Sequence, residues 1–209
     1  MKLAIFGASG RTGKSLVEQA LAAGHEVMAF VRDPSRLGVA HERLTVVEGD
    51  VKDPAKVREA VDGADAVLSA LGHTKSSAKD VQTVGTKNIV AAMRESGVQR
   101  LVSLTGAGVS DPKDEPKLFD KAITTLLKLL QKDVLEDAEG HARVIENSRL
   151  DWVIVRGPML TEGERKGEYR VGYVGKNSGP RISRADVADF MLRQTEDDTH
   201  LGRKPMVSY

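Results

Sequence analysis

Seven residues near the start of the chain, Gly7-Ala8-Ser9-Gly10-Arg11-Thr12-Gly13, have the spacing G-x-x-G-x-x-G. Glycines at these positions allow a tight turn and let the backbone approach a pyrophosphate, and the third lets a helix pack closely on a strand. A helix that opens at such a turn offers free N–H groups and the positive end of its dipole to an anion. Residues 2–6 read as a strand and Thr12–Ala23 as a helix, which is the context the motif requires. A P-loop is excluded. Gly13-Lys14-Ser15 imitates its end, but its leading glycine would fall on Ala8. Gly7, Ser9, Gly10, Arg11, Thr12 and Gly13 are therefore expected to seat a dinucleotide.

The end of the second strand decides which dinucleotide. A carboxylate there suits ribose hydroxyls, and an arginine suits a 2′-phosphate. The segment reads Val31-Arg32-Asp33-Pro34-Ser35-Arg36. Arg32, Arg36 and Arg11 can converge on a dianionic phosphate through paired hydrogen bonds. Asp33 either serves ribose hydroxyls or caps the next turn. The expected cofactor is NADPH, with NADH tolerated. Asp50, after the third strand, is placed to accept from the adenine amino group, with Val51 beside it. Ala70, Leu71 and Gly72 follow the fourth strand, where ribose and nicotinamide should pass. Thr105 at the end of the fifth strand and Pro158 at the end of the sixth complete the cofactor set. In an open α/β sheet all these strand ends share one side.

Candidates for proton chemistry are few. Thr105 can touch the nicotinamide amide or a substrate. His141 lies one helical turn beyond Asp137, so the two side chains share a face, as a proton donor with its orienting carboxylate or as a plain surface pair. His73, next to Gly72, is nearer the expected crevice and either acts there or only lines the loop. No His/Asp/Glu cluster has metal-ligand spacing, and no G-x-S-x-G elbow occurs. The absence of Cys removes disulfides, thiolate metal sites and a cysteine nucleophile.

The elements that must position these residues alternate. Strands are expected at 2–6, Glu26–Val31, Leu44–Glu48, Ala66–Ala70, Leu101–Leu104 and Trp152–Val155. Helices are expected at Thr12–Ala23, Pro54–Val61, Val81–Ser96 and Ser183–Arg193. Lys117–Ser148 reads as helical almost throughout, with breaks near Lys132-Asp133 and Gly140. A short hairpin is expected around Tyr169–Val174, and a last strand at Met206–Tyr209. The β-α-β alternation predicts a doubly wound parallel α/β sheet of the Rossmann kind, with a small C-terminal substrate region. The whole of 1–209 reads as one domain, with residues 110–182 supplying most of the substrate pocket. In the 209-residue chain, 31 Lys+Arg balance 30 Asp+Glu, so the net charge of +1 argues against a basic nucleic-acid binder. The first apolar run is too short for a leader and no run is long enough for a membrane span, so a cytoplasmic protein is expected. The sequence leaves the oligomeric state open.

Gly7–Gly13, Val31–Arg36, Gly49-Asp50, Gly85–Ala92, Trp152–Pro158 and Arg181–Ala188 together resemble the atypical short-chain dehydrogenase/reductases. Within that group the chain is similar to the NAD(P)H-binding proteins that include biliverdin-IXβ reductase/flavin reductase and the NmrA-like proteins. The resemblance implies a Rossmann core, NADP(H) binding and, often, reduction of flavins, quinones or tetrapyrroles. The superfamily's Tyr-x-x-x-Lys positions fall here on Val134 and Ala138, neither of which donates a proton. The Ser and His of the flavin/biliverdin reductases fall on Gly106 and Met159. What the resemblance leaves is a reductase passing hydride to a small planar acceptor, or a non-catalytic dinucleotide sensor of the NmrA kind. Leu118, Phe119, Ile123, Leu126, Leu127 and Leu130 can wall one side of an apolar pocket, with Met159, Leu160 and Tyr169 opposite.

Overall fold

The computed structural model describes residues 1–74, 77–117 and 131–209. Along the chain run β1 (Lys2–Phe6), α1 (Arg11–Ala22), β2 (Glu26–Val31), a 3-10 turn (Pro34–Arg36), β3 (Leu44–Glu48), α2 (Pro54–Val61), β4 (Ala66–Ser69) and α3 (Val81–Ser96). Then follow β5 (Arg100–Gly106), α4 (Lys132–Glu146), β6 (Asp151–Gly157), β7 (Met159–Thr161), β8 (Arg170–Gly172), β9 (Arg181–Ser183), α5 (Arg184–Arg193) and β10 (Met206–Ser208). The main sheet has the order β3-β2-β1-β4-β5-β6-β10-β8. All its pairs are parallel except β10–β8. β7 and β9 form a separate two-stranded parallel ribbon. This is the expected doubly wound Rossmann sheet. Its strand order reverses between β1 and β4, so the crevice opens at their C-terminal ends.

The central strands feed two cores, because successive side chains point to opposite faces. Ala4 and Phe6 of β1 pack with Val57, Ile89, Met93 and Ile145 beneath α2, α3 and α4. Leu3 and Ile5 pack with Leu16, Val17, Val187 and Phe190 beneath α1 and α5. Burial on both faces explains why these strands read as unbroken apolar runs. The helix ends are chemically marked. Asp53 accepts from the Ala55 and Lys56 amides at the start of α2, and Ser183 accepts from the Asp186 amide at the start of α5. Gly97, in the left-handed region at φ 72°, closes α3.

Two expectations for the last third need correction. α4 runs unbroken through Gly140, which is there for packing: a Cβ on it would lie 2.4 Å from Thr83 Oγ1 of α3. The hairpin expected around Tyr169–Val174 is reduced to one antiparallel bridge, Tyr173–Lys176, and Arg170–Gly172 pairs instead with β10 at the edge of the main sheet. β6 ends at Gly157, and after Pro158 the chain re-enters as β7, which runs beside β9. The expected pocket wall from Leu118 to Leu130 lies outside the described residues. Among those described, no helix is long and apolar enough to cross a membrane and no His/Cys/Asp/Glu group could hold a metal ion.

Candidate functional site

The turn between β1 and α1 is built for backbone proximity. Gly7 has φ 72°, and a Cβ on it would stand 2.7 Å from the Ala70 carbonyl oxygen. A Cβ on Gly13 would stand 2.1 Å from the Gly7 carbonyl oxygen, so neither position accepts a side chain without moving backbone. The Gly10 amide donates to the Gly7 carbonyl at 2.9 Å, and the Lys14 amide makes the first helical bond, to Gly10. α1 starts with no side-chain cap and no acidic residue in its first turn. Its leading N–H groups are therefore left for an external anion.

Above this turn lies a cleft of about 360 Å³. Gly7, Ser9, Gly10, Arg11 and Thr12 form its floor, Arg32 and Arg36 its β2 side, and Val51, Ala70, Leu71 and Gly72 its far side. Gly13 supports the turn from behind. Four arginines line the cleft, since Arg184 joins Arg11, Arg32 and Arg36, and no carboxylate does among the described residues. A compartment with that sign attracts a polyanion. The arginines do not meet at one point, however. Arg11 and Arg184 share the carboxylate of Glu162, at 3.0 and 2.7 Å, while Arg32 reaches Thr74 Oγ1 at 3.4 Å. Burial, and then the charge of Arg11, hold the Arg184 guanidinium below its usual pKa. Two cations on one anion leave net positive charge at the cleft mouth. Asp33 is engaged as a cap, accepting from the Ser35 amide at 3.0 Å and the Ser35 hydroxyl at 2.6 Å.

Asp50 departs from expectation. It is exposed, does not line the cleft, and accepts the Lys52 amide at 2.9 Å in a local turn. Thr105 and His141 also miss the cleft. Thr105 points from β5 into the α3–α4 layer, 5% exposed, and its Oγ1 has no partner there among the described residues. His141 is 1% exposed, with Nδ1 2.7 Å from Thr86 Oγ1 and Nε2 3.3 Å from Ser103 Oγ. Burial drives its pKa down to about 4, so it is neutral near pH 7. It does not hydrogen-bond Asp137, whose carboxylate serves α3 and His73. Asp137 accepts from the amides of Gln82 at 2.8 Å and Thr83 at 2.9 Å, and lies 2.9 Å from His73 Nε2. Asp137 thus caps α3 from another helix, and the histidine that meets the cleft is His73.

Beside the cleft is a larger hollow of about 760 Å³. Val134 and Ala138 of α4 line it, with Gly106, Val109, Pro158, Met159 and Val174. Gln82 joins the two spaces: it lines the hollow, and its Nε2 donates to the carbonyl of Leu71 in the cleft at 3.2 Å. That bond orients the amide and leaves the buried Oε1 without a partner among the described residues. Of the expected opposite wall only Met159 is present. Leu160 packs into the α1–α5 core, and Tyr169 stacks edge-on against Phe190 and donates to Asp189 at 2.7 Å. The hollow's outer wall is held by an ion pair that reading the sequence does not suggest. Arg156 of β6, fully buried, binds both oxygens of Asp114 at 2.8 Å and the Val109 carbonyl at 2.9 Å.

An uncapped glycine turn at the switch point of a doubly wound sheet, under an arginine-lined cleft, defines a Rossmann-type dinucleotide-binding protein. Residues 7–198 match the NAD(P)H-binding family, and the chain belongs to it. It is 28% identical over 260 residues to reductase pytE of Aspergillus terreus, covering 99% of this chain and 97% of that protein. Its fold matches a short-chain dehydrogenase/reductase of Veillonella parvula in complex with NADP, with TM-score 0.79, 22% identity and coverage of 100% and 94% of the two chains. It also matches ChuY, an anaerobillin reductase of Escherichia coli O157:H7, with TM-score 0.77, 18% identity and coverage of 100% and 97%.

Proposed function

We propose that the protein is an NADPH-dependent reductase that passes hydride to a small planar acceptor of the flavin, quinone or tetrapyrrole class. The observation that carries this reading is the pairing of two unlike spaces across Gln82: a cationic cleft for the nucleotide and a mainly apolar hollow for a flat molecule. In this reading Gly7, Ser9, Gly10, Arg11, Thr12 and Gly13 seat the pyrophosphate. Arg32 and Arg36 take the 2′-phosphate, and Val51, Ala70, Leu71 and Gly72 flank adenosine and ribose. Pro158 borders the nicotinamide. The engagement of Asp33 as a cap supports the phosphate-bearing nucleotide over NADH. When bound, the dihydronicotinamide supplies the hydride; the chain orients both partners and excludes water.

The test is to follow NADPH absorbance with FMN, menadione and biliverdin in turn, beside calorimetry with NADPH. Oxidation with at least one acceptor is expected. A second reading, a dinucleotide sensor without turnover, draws on the aliphatic side chains of Val134 and Ala138 where a proton donor would otherwise stand. Micromolar NADPH binding with no oxidation by any of the three acceptors would favour the sensor and overturn the reductase.

A further inference from the structure

Reducing a quinone, flavin or tetrapyrrole takes up a proton as well as a hydride. Val134 and Ala138 offer none, and His141 is sealed beneath the sheet. We propose that His73 is the proton donor of this site and Asp137 its positioning residue; the inference rests on the reductase reading above.

The geometry settles which ring nitrogen is available. Asp137 already accepts two backbone N–H groups from the first turn of α3, so it sits at a helix N-terminus as an ionised, acceptor-only carboxylate. The ring atom facing it, Nε2 at 2.9 Å, must carry a hydrogen. The other nitrogen, Nδ1, then has no hydrogen-bond partner among the described residues. It bears a proton only when the ring is an imidazolium. The His73 side chain is 17% exposed and lines the nucleotide cleft, so that proton can be replaced from solvent. Its link to the hollow runs through Asp137 and Gln82. The Asp137 oxygen that meets Nε2 also accepts from the amide of Gln82, whose side chain lines that hollow.

The other charges around the ring come from three elements. Asp133 of α4 acts on His73 electrostatically and is paired with Lys79, just before α3, at 2.6 Å. Arg32, beyond β2, reaches the neighbouring Thr74. In the step itself the acceptor gains a hydride with its electron pair. The Nδ1–H bond of the imidazolium breaks, its electron pair stays on the ring, and the proton goes to the acceptor's anionic oxygen or nitrogen. Neutral His73 then regains a proton from water. The reductant is NADPH and the product is the two-electron-reduced acceptor.

Two measurements test the proposal, one of them independent of turnover. In nitrogen-15 NMR of the free protein, neutral His73 is expected as the Nε2–H tautomer, with Nδ1 bare. In steady-state kinetics with whichever of FMN, menadione or biliverdin the wild type reduces, His73→Gln is expected to lower kcat by roughly 100-fold. NADPH affinity in that variant should change less than about threefold. The wild-type pH profile of kcat should carry a descending alkaline limb that vanishes in the variant. Added imidazole should restore part of the rate to His73→Ala. An Nδ1–H tautomer would overturn the proposal. So would a His73→Gln enzyme with wild-type kcat and pH profile, while the reductase reading stood. A wild type that oxidises NADPH with none of the three acceptors would overturn both.

Discussion

Replacing Arg156 by Met tests the account of the hollow's wall. The guanidinium is fully buried on β6 and makes four hydrogen bonds: two to the Asp114 carboxylate at 2.8 Å, one to the Val109 carbonyl at 2.9 Å and one to the Lys204 carbonyl at 2.8 Å. Asp114 also accepts the Val174 amide at 3.0 Å, so one carboxylate ties two stretches of the wall together. Removing one partner of a buried pair costs about 3–5 kcal/mol, because the other charge is left uncompensated. Methionine fills most of the volume but offers no donor, so a loss of about 4 kcal/mol is expected. For a chain of this size, that lowers Tm by roughly 8–16 °C.

The pH dependence follows from Asp114. Burial alone would raise its pKa, but the hydrogen bonds and charge of Arg156 outweigh burial and lower it. A carboxylate depressed on folding contributes stability above its unfolded pKa, and that contribution is lost as pH falls through the folded value. The gap between wild type and Arg156→Met should therefore be widest near pH 7 and close as pH falls through 3.8 and below, as Asp114 is protonated in both proteins. Urea midpoints across that range measure the gap. Since Val109 and Val174 line the hollow, KM for the acceptor should rise while NADPH affinity stays near wild type. A stability loss under about 1 kcal/mol would refute the reasoning, because a pair worth so little behaves like a surface pair.

Three more outcomes are expected. Arg32→Ala should weaken NADPH by about ten- to thirtyfold, the worth of one solvent-screened charge-assisted bond, and NADH by less than about threefold; equal weakening in calorimetry would contradict a 2′-phosphate role. Gly13→Ala puts a methyl 2.1 Å from the Gly7 carbonyl oxygen, so calorimetry should detect no NADPH binding, and wild-type affinity would refute the turn's geometry. His141→Gln should keep turnover within about threefold of wild type, since the ring reaches neither space. Because His141 is depressed from 6.5 to about 4 on folding, its contribution is present above pH 6.5 and lost as pH falls toward 4. The variant should therefore lose less stability than wild type between those values in urea melts, by on the order of 3 kcal/mol.

The phosphate turn was legible because its chemistry is local: five strand residues, three glycines and a helix start lie within one short stretch. The same holds for the strands buried on both faces. What stayed hidden depends on partners far along the chain. Arg184 meets the cleft only because α5 packs beside α1, and its own neighbours in sequence mark nothing more than a capped helix. Asp137 and His141 were read as partners from their shared helix face, but α3 claims the carboxylate with two amides, and burial turns the imidazole toward Thr86. Gly140 looked like a break because a glycine inside a helix is unfavourable alone; the side chain of Thr83 on the opposing helix is the missing reason. Asp50 matched a strand-end pattern but is held by its own turn.

The cap that Asp137 provides has a consequence for assembly. The first turn of α3 takes its terminating carboxylate from a residue 55 positions later, so that turn is completed only after α4 has docked. The β1-α1-β2 half can form from neighbouring contacts, whereas the partition between the two spaces closes late. The nucleotide seat and the partition are thus separable in folding time, and hydrogen exchange at the amides of Gln82 and Thr83 would report the docking of α4.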